Sequence, residues 1–257
     1  MVVTTADSPA TLDPIADQIF HFLWGEERDP LPTAGDHAYK QIWRQLITGA
    51  RKPGERLSDV ELSAQLGVSR TPVRQALQRL VQDELVRSDP RRGFWVREFT
   101  ATDVHEMYDV RAALEALAVR QGAANLRPAD LRDQLDRITA LRDQMAEQPV
   151  VPFLQHDFQF HNLLIYASRN GRLIRILAAL RSQVSFFQIR DTGYPRRMDA
   201  ALDGHERILR ALLAGRVDEA ADLMMNHIAA SKAGVLGDMF ASTDGAEGKE
   251  MTSVTRR

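Results

Sequence analysis

Between residues 171 and 190 the apolar positions Leu173, Ile176, Leu177, Leu180, Val184 and Phe187 recur at i, i+3, i+4, i+7, i+11 and i+14. That is the stripe of an amphipathic helix. The same reading after Thr100 predicts six helices, at about 102–125, 128–147, 151–169, 171–190, 196–214 and 216–236, and no strand. The breaks between them, at Pro128, Pro149/Pro152, Asn170-Gly171, Gly193/Pro195 and Gly215, are short. Short breaks make sequence neighbours pack antiparallel, so an all-helical bundle is expected.

From His37 to Arg97 the pattern changes to shorter elements. Ala38–Thr48 carries Ile42, Leu46 and Ile47 on one helical face and is stopped by Gly49 and Pro53-Gly54. Asp59–Leu66 is a second helix, ended by Gly67. A third is capped by Ser69 or Thr71, with Pro72 in its first turn. Two strands, Leu85–Arg87 and Phe94–Arg97, flank the turn Asp89-Pro90-Arg91-Arg92-Gly93. The fold class is therefore mainly α, with a small helix–helix–helix–hairpin unit at 37–98 and a helical bundle at 102–236. Residues 1–36 read as an acidic, flexible extension, with one short apolar helix around Ile15–Trp24. Residues 237–257 read as a disordered tail.

Composition narrows the classes. The chain has 257 residues, 44% of them hydrophobic and 26% charged, which suits two soluble domains. Cys is absent, so disulfides, thiolate ligands and thiol nucleophiles are excluded. No apolar run approaches the roughly 20 residues that span a bilayer, and the start lacks a signal-peptide layout. A cytoplasmic protein is expected. The net charge of −2 hides an uneven distribution. Residues 1–36 carry 1 basic and 7 acidic side chains, residues 37–100 carry 12 and 7, and the remainder 20 and 21. A basic block in a neutral chain points to a polyanion partner for that block.

The third helix gives the block its chemistry. Val73, Ala76, Leu77, Leu80 and Val81 face a core, while Arg70, Arg74 and Gln78 form an outward stripe four residues apart. Guanidinium groups bind phosphates or grip guanine edges, and an amide reads adenine. Ser69 and Thr71 sit at the helix N-terminus, where a phosphate is favoured. Arg91, Arg92 and Gly93 form a basic hairpin tip suited to a minor groove. The stretches LSDVELSAQLGVSRTPVRQALQRLVQDELV and DPRRGFWV resemble the winged helix-turn-helix of GntR-type bacterial transcriptional regulators over residues 38–98. The resemblance implies that Ser69, Arg70, Thr71 and Arg74 contact double-stranded operator DNA and that Gly93 lets the wing approach the backbone. Val60 stands where some relatives place a DNA-contacting Arg.

The helical half carries a second constellation. Asp157 and His161 are i, i+4 on one helix. His205 lies in the next-to-last helix, beside Ile208, Leu209 and Leu212, and His227 lies on the inner face of the last. Three imidazoles and one carboxylate suit Zn²⁺, or Ni²⁺, Mn²⁺ or Fe²⁺ with added water; buried or surface histidines without a metal are the alternative. HDFQFHNLLIYASRNGRL and HERILRALLAGRVDEAADLMMNHI resemble the FCD-type domain of the FadR subfamily, in its six-helix VanR-like form rather than a seven-helix one. That resemblance fills all four ligand positions with Asp157, His161, His205 and His227. It also implies that Arg111, in the opening helix, binds an anionic effector; a surface ion pair with Glu115 at i+4 is the alternative role. His156 and His105 read as structural or exposed.

The reading is a homodimeric, metal-containing repressor controlled by a small organic or sugar acid, and not an enzyme. A regulator for which the metal itself is the signal is one alternative. An HD-type phosphohydrolase built on His156-Asp157 and His105 is another.

Overall fold

The computed structural model describes residues 33–145, 150–190 and 194–240. The short helix expected around Ile15–Trp24 and most of the expected tail lie outside them. Helix α1 (Ala34–Ile47) begins four residues before the expected start, because Thr33 and Asp36 close a reciprocal capping box. Its inner face, Tyr39, Ile42, Trp43, Leu46 and Ile47, is buried. Burying each large apolar side chain is worth about 1.5–3 kcal/mol. Helix α2 (Asp59–Leu66) is capped by Ser58 and ends on left-handed Gly67. Helix α3 (Arg70–Gln82) buries Val73, Ala76, Leu77 and Leu80 against α1. Ser69 is its N-cap residue but makes no side-chain cap bond.

The sheet has three antiparallel strands in the order β1-β3-β2: β1 (Arg56–Leu57), β2 (Val86–Asp89) and β3 (Gly93–Val96). β1 was not read from sequence. Two residues show no alternation, and Leu57 joins the core only because it pairs with Phe94. The hairpin sits one residue later than expected at its first strand. Asp89 anchors its tip by accepting from the backbone N–H groups of Arg91 and Arg92, and Gly93 takes φ +106°, which favours glycine.

Beyond Thr100, six α-helices follow among the described residues, with one short 3-10 helix (Ala123–Asn125) after the first: α4 (Ala101–Gly122), α5 (Pro128–Asp143), α6 (Val150–Ala167), α7 (Gly171–Arg190), α8 (Tyr194–Leu213) and α9 (Val217–Phe240). No strand is found there, as the pattern predicts. α9 runs four residues past its expected end. It lies along α4 and α8, while α6 packs on α4, so α4, α6, α8 and α9 surround one interior. Asn170 caps α7, its side-chain oxygen accepting from the N–H groups of Arg172 and Leu173.

The two halves meet along α7. Phe99, in the linker, packs between Phe186 and Phe187 with ring centroids 5.1 and 5.0 Å away. Tyr39 donates to Asp83, and Ser182 of α7 hydrogen-bonds with both. The Arg190 guanidinium reaches the Leu46 carbonyl at the C-terminal end of α1, 3.4 Å away.

Candidate metal centre and nucleic-acid interface

Asp157 and His161 of α6, His205 of α8 and His227 of α9 converge in the bundle interior. One ligand atom from each lies within 4.8 Å of all the others. His205 Nε2 is 3.2 Å from His227 Nε2 and 3.5 Å from Asp157 Oδ1. His161 Nε2 is 3.7 Å from the same oxygen and has no hydrogen-bond partner, though fully enclosed. A tetrahedral ion with bonds of about 2.0–2.2 Å holds its ligand atoms about 3.4 Å apart. The four groups therefore fit a divalent cation with small adjustments. Gly204 makes room for them, since a Cβ there would come within 2.7 Å of His227 Nδ1. Any side chain at this position would press on the His227 ring.

Neighbouring side chains orient these ligands. Glu115 of α4 lies 2.5 Å from His161 Nδ1; with Nδ1–H donating to that carboxylate, Nε2 is left free for a metal. Glu115 also accepts from Arg111 Nε at 2.6 Å. Gln188 of α7 donates to Asp157 Oδ2 at 2.8 Å. His156 Nε2 sits 3.3 Å from His205 Nδ1, and Phe160 stacks on the His205 ring at 3.9 Å. His156 is thus buried at the centre's edge. Its position in the HD dipeptide was visible in the sequence; its aim at His205 was not. Gln188 carried no signal, because its contact depends on how α7 docks on α6.

The electrostatics suit cation binding. Burial disfavours the charged imidazoles, taking His227 down to about 3 and His156 to about 4, and His205 well below its ordinary value. Burial alone would raise the Glu115 carboxyl, but His161 and Arg111 bring it down to about 2. His205 and His227 therefore present neutral imidazoles, with lone pairs available to a cation.

Arg111 is 6% exposed, so its pair with Glu115 is a buried one rather than a surface one. The same residue lines a pocket with Glu115, Asp157, His161 and Gln188. The expected surface pairing is thus corrected to a buried ion pair in the wall of that pocket. His105 is exposed on α4 and stands apart from the cluster, so the HD-type constellation is not assembled.

At the other end of the molecule, a cleft between α2, α3 and the wing is lined by Arg56, Asp59, Arg70, Arg74, Gln78, Arg91, Arg92 and Gly93. Ser69 and Thr71 are exposed at the N-terminus of α3. Asp59 holds Arg70 at 3.0 Å and Arg74 at 3.2 Å. Sequence reasoning named the arginines but missed Arg56 and the Asp59 tether, which joins two helices.

Residues 34–96 match the family model described as bacterial regulatory proteins, gntR family, and residues 106–230 match the FCD domain. A regulator of the Nta operon from Aminobacter aminovorans is 34% identical over 69% of this chain and 82% of its own length. The chain belongs to the GntR family. YdhC, an uncharacterised HTH-type transcriptional regulator of Bacillus subtilis, is 30% identical over 74% of this chain and 85% of its own. Among solved structures, a putative GntR regulator from Rhodococcus sp. RHA1 superposes with a TM-score of 0.62, 26% identity, and coverage of 79% of this chain and 97% of that one. E. coli McbR/YncC shares the fold, with a TM-score of 0.64 over 80% of this chain and 98% of its own at 24% identity. This GntR-family chain is accordingly a DNA-binding transcriptional regulator whose FCD domain is of the ligand-responsive type.

Proposed function

We propose that this protein is a homodimeric, cytoplasmic repressor that releases its operator when a small carboxylate binds the metal-containing helical domain. The observation that carries the reading is the buried Asp157/His161/His205/His227 cluster, two of whose members, Asp157 and His161, line the same pocket as Arg111, in a chain that also bears a winged helix. A divalent ion, Zn²⁺ first among the candidates, would supply positive charge at the pocket's closed end and, with five- or six-fold coordination, would keep a position open beyond its four protein ligands for the carboxylate. Arg111, held rigid by Glu115, offers a planar guanidinium to the same anion. Arg70, Arg74 and Gln78 read base edges, while Ser69, Thr71, Arg91, Arg92 and Gly93 hold phosphates and the minor groove. A two-fold operator then needs two copies. The repressor sign is supported by a relative from Paenarthrobacter nicotinovorans named as a probable D-xylose utilization operon repressor.

The test uses a duplex selected from a random library by the full-length protein. Anisotropy titrations are run with metal-loaded and chelator-stripped protein, with and without a panel of carboxylates. Release by an acid, abolished in Arg111→Ala, supports the reading. Release on metal addition alone would make the metal the signal.

A further inference from the structure

The pocket over the cluster changes character along its length. Its closed end holds Arg111, Glu115, Asp157 and His161, none more than 6% exposed. From there it runs between α6 and α7, walled mainly by Ile165, Ile174, Leu177, Leu180 and Val184, with Gln155, Asn162, Tyr166 and Ser185 also lining it. Ile165 and Leu177 belong with Ala118 and Leu173 to an apolar cluster separate from the main core, and Ile174 and Leu180 pack against it. Beside the mouth, Arg181 lies over the Phe158 ring at 4.8 Å, so its stem adds to the apolar cover.

Two physical consequences follow. Aliphatic walls return no hydrogen bonds, so a guest hydroxyl turned toward them loses its water without compensation, while a methylene there gains. The closed end also has a definite charge. A divalent ion brings two positive charges and Arg111 one; Glu115 and Asp157 remove one each; metal-bound imidazoles are neutral. One positive charge remains, and one carboxylate neutralises it. A second carboxylate would have no cation at the closed end to pair with; Arg181, the other guanidinium lining the pocket, lies over the Phe158 ring.

We propose that the effector is a monocarboxylic acid with an apolar tail, its head on Arg111 and the metal centre and its tail along the α6–α7 slot, rather than a sugar acid or a dicarboxylic acid. This deepens the carboxylate reading above and rests on it.

The experiment is isothermal titration of the metal-loaded full chain with acetate, butyrate, hexanoate, octanoate, phenylacetate, gluconate and succinate. Affinity is expected to rise about three- to fourfold per methylene along the straight-chain series. Leu180→Gln should flatten that rise while leaving acetate affinity unchanged, and Val184→Ser serves if the first variant folds poorly. Arg111→Ala should weaken every member at least tenfold. Gluconate or succinate binding tighter than hexanoate, still dependent on Arg111, overturns the tail assignment but leaves the carboxylate site standing. A chain-length rise indifferent to Arg111→Ala overturns the placement. Absence of binding by every acid, with Leu180→Gln changing the oligomer mass, overturns both readings and makes the slot an interface between copies.

Discussion

His205 Nε2 and His227 Nε2 face each other at 3.2 Å, with Asp157 Oδ1 3.5 Å from the first. Without an ion, one imidazole must donate to the other; with an ion between them, both lone pairs are used. The arrangement makes the metal-free protein sensitive to acid. Burial depresses the folded-state pKa of His205, and of His227 to about 3, below the unfolded value of about 6.5. Groups depressed in this way contribute stability that is fully present above pH 6.5 and is lost as pH falls toward the folded values. Chelator-stripped protein should therefore lose up to about 1.4 kcal/mol per pH unit for each such histidine below pH 6.5. Metal-loaded protein should resist until protons displace the ion, and should melt roughly 10 °C higher at neutral pH when metal is a thousandfold above its Kd. Thermal unfolding from pH 7.5 to 5 in both states checks this. A flat stripped profile would sink it.

The orienting residues should matter nearly as much as the ligands. Glu115→Gln keeps an acceptor for His161 Nδ1 but removes the charge that balances Arg111. His156→Phe removes the partner of His205 Nδ1 while preserving bulk. Each should lower metal affinity about 10–100-fold. Competition with a chromogenic chelator reads this directly, and circular dichroism controls for folding. Wild-type affinity in both variants would reduce Glu115 and His156 to packing roles.

How far the sequence was legible depends on the range of each interaction. The six-helix bundle and the hairpin rest on local periodicity and turn residues, and Leu173 to Phe187 displays its helix unaided. The four ligands were visible because Asp157 and His161 share a helix face and because a family pattern placed His205 and His227. Glu115 appeared only as a partner for Arg111. Its bond to His161 needs the crossing of α4 and α6, which no local pattern encodes. β1 escaped for the same reason: Arg56 and Leu57 become a strand only when β3 pairs with them. Thr33 and Asp36 were a readable capping signal that the acidic composition of the extension obscured.

At the DNA end, Asp59 competes with nucleic acid for two arginines. Burial opposes its ionisation, but Arg70 and Arg74 hold its carboxyl below the usual range, so it stays charged. Asp59→Asn should raise affinity for random-sequence duplex, since a negative charge leaves the cleft, and should narrow the gap between operator and random DNA, since the arginines lose their alignment. Arg74→Ala should cost about 1–3 kcal/mol on the operator if it reads a base. If it holds only phosphate, the loss should be uniform across sequences, with the salt slope reduced by about one. Anisotropy on both duplexes across a salt series separates these outcomes. An Asp59→Asn protein with unaltered specificity would show that the tether has no part in readout.

The last prediction concerns how the two ends communicate. Gln188 and Arg190 lie two residues apart on α7; the first donates to the metal ligand Asp157, and the second reaches the Leu46 carbonyl of α1. Arg190 is cationic at the negative end of that helix, a favourable position by its dipole. It also lies over the Phe186 ring at 5.2 Å. An effector that bears on Gln188 therefore bears on a helix already seated against the winged domain at Ser182 and Arg190. Arg190→Met keeps the stem and removes the donor. It should bring the ratio of DNA affinities with and without effector toward one, against a typical coupling of about 1–3 kcal/mol. Effector affinity measured without DNA should stay within about threefold of wild type, because Arg190 is not among the residues lining the pocket. Linkage supplies an internal check: whatever coupling Arg190→Met removes from DNA binding must vanish equally from effector binding to the operator-bound protein. Both legs are measurable by anisotropy and titration on the same preparations. Undiminished coupling in the variant would move the path off α7, to the Phe99 linker or to α4.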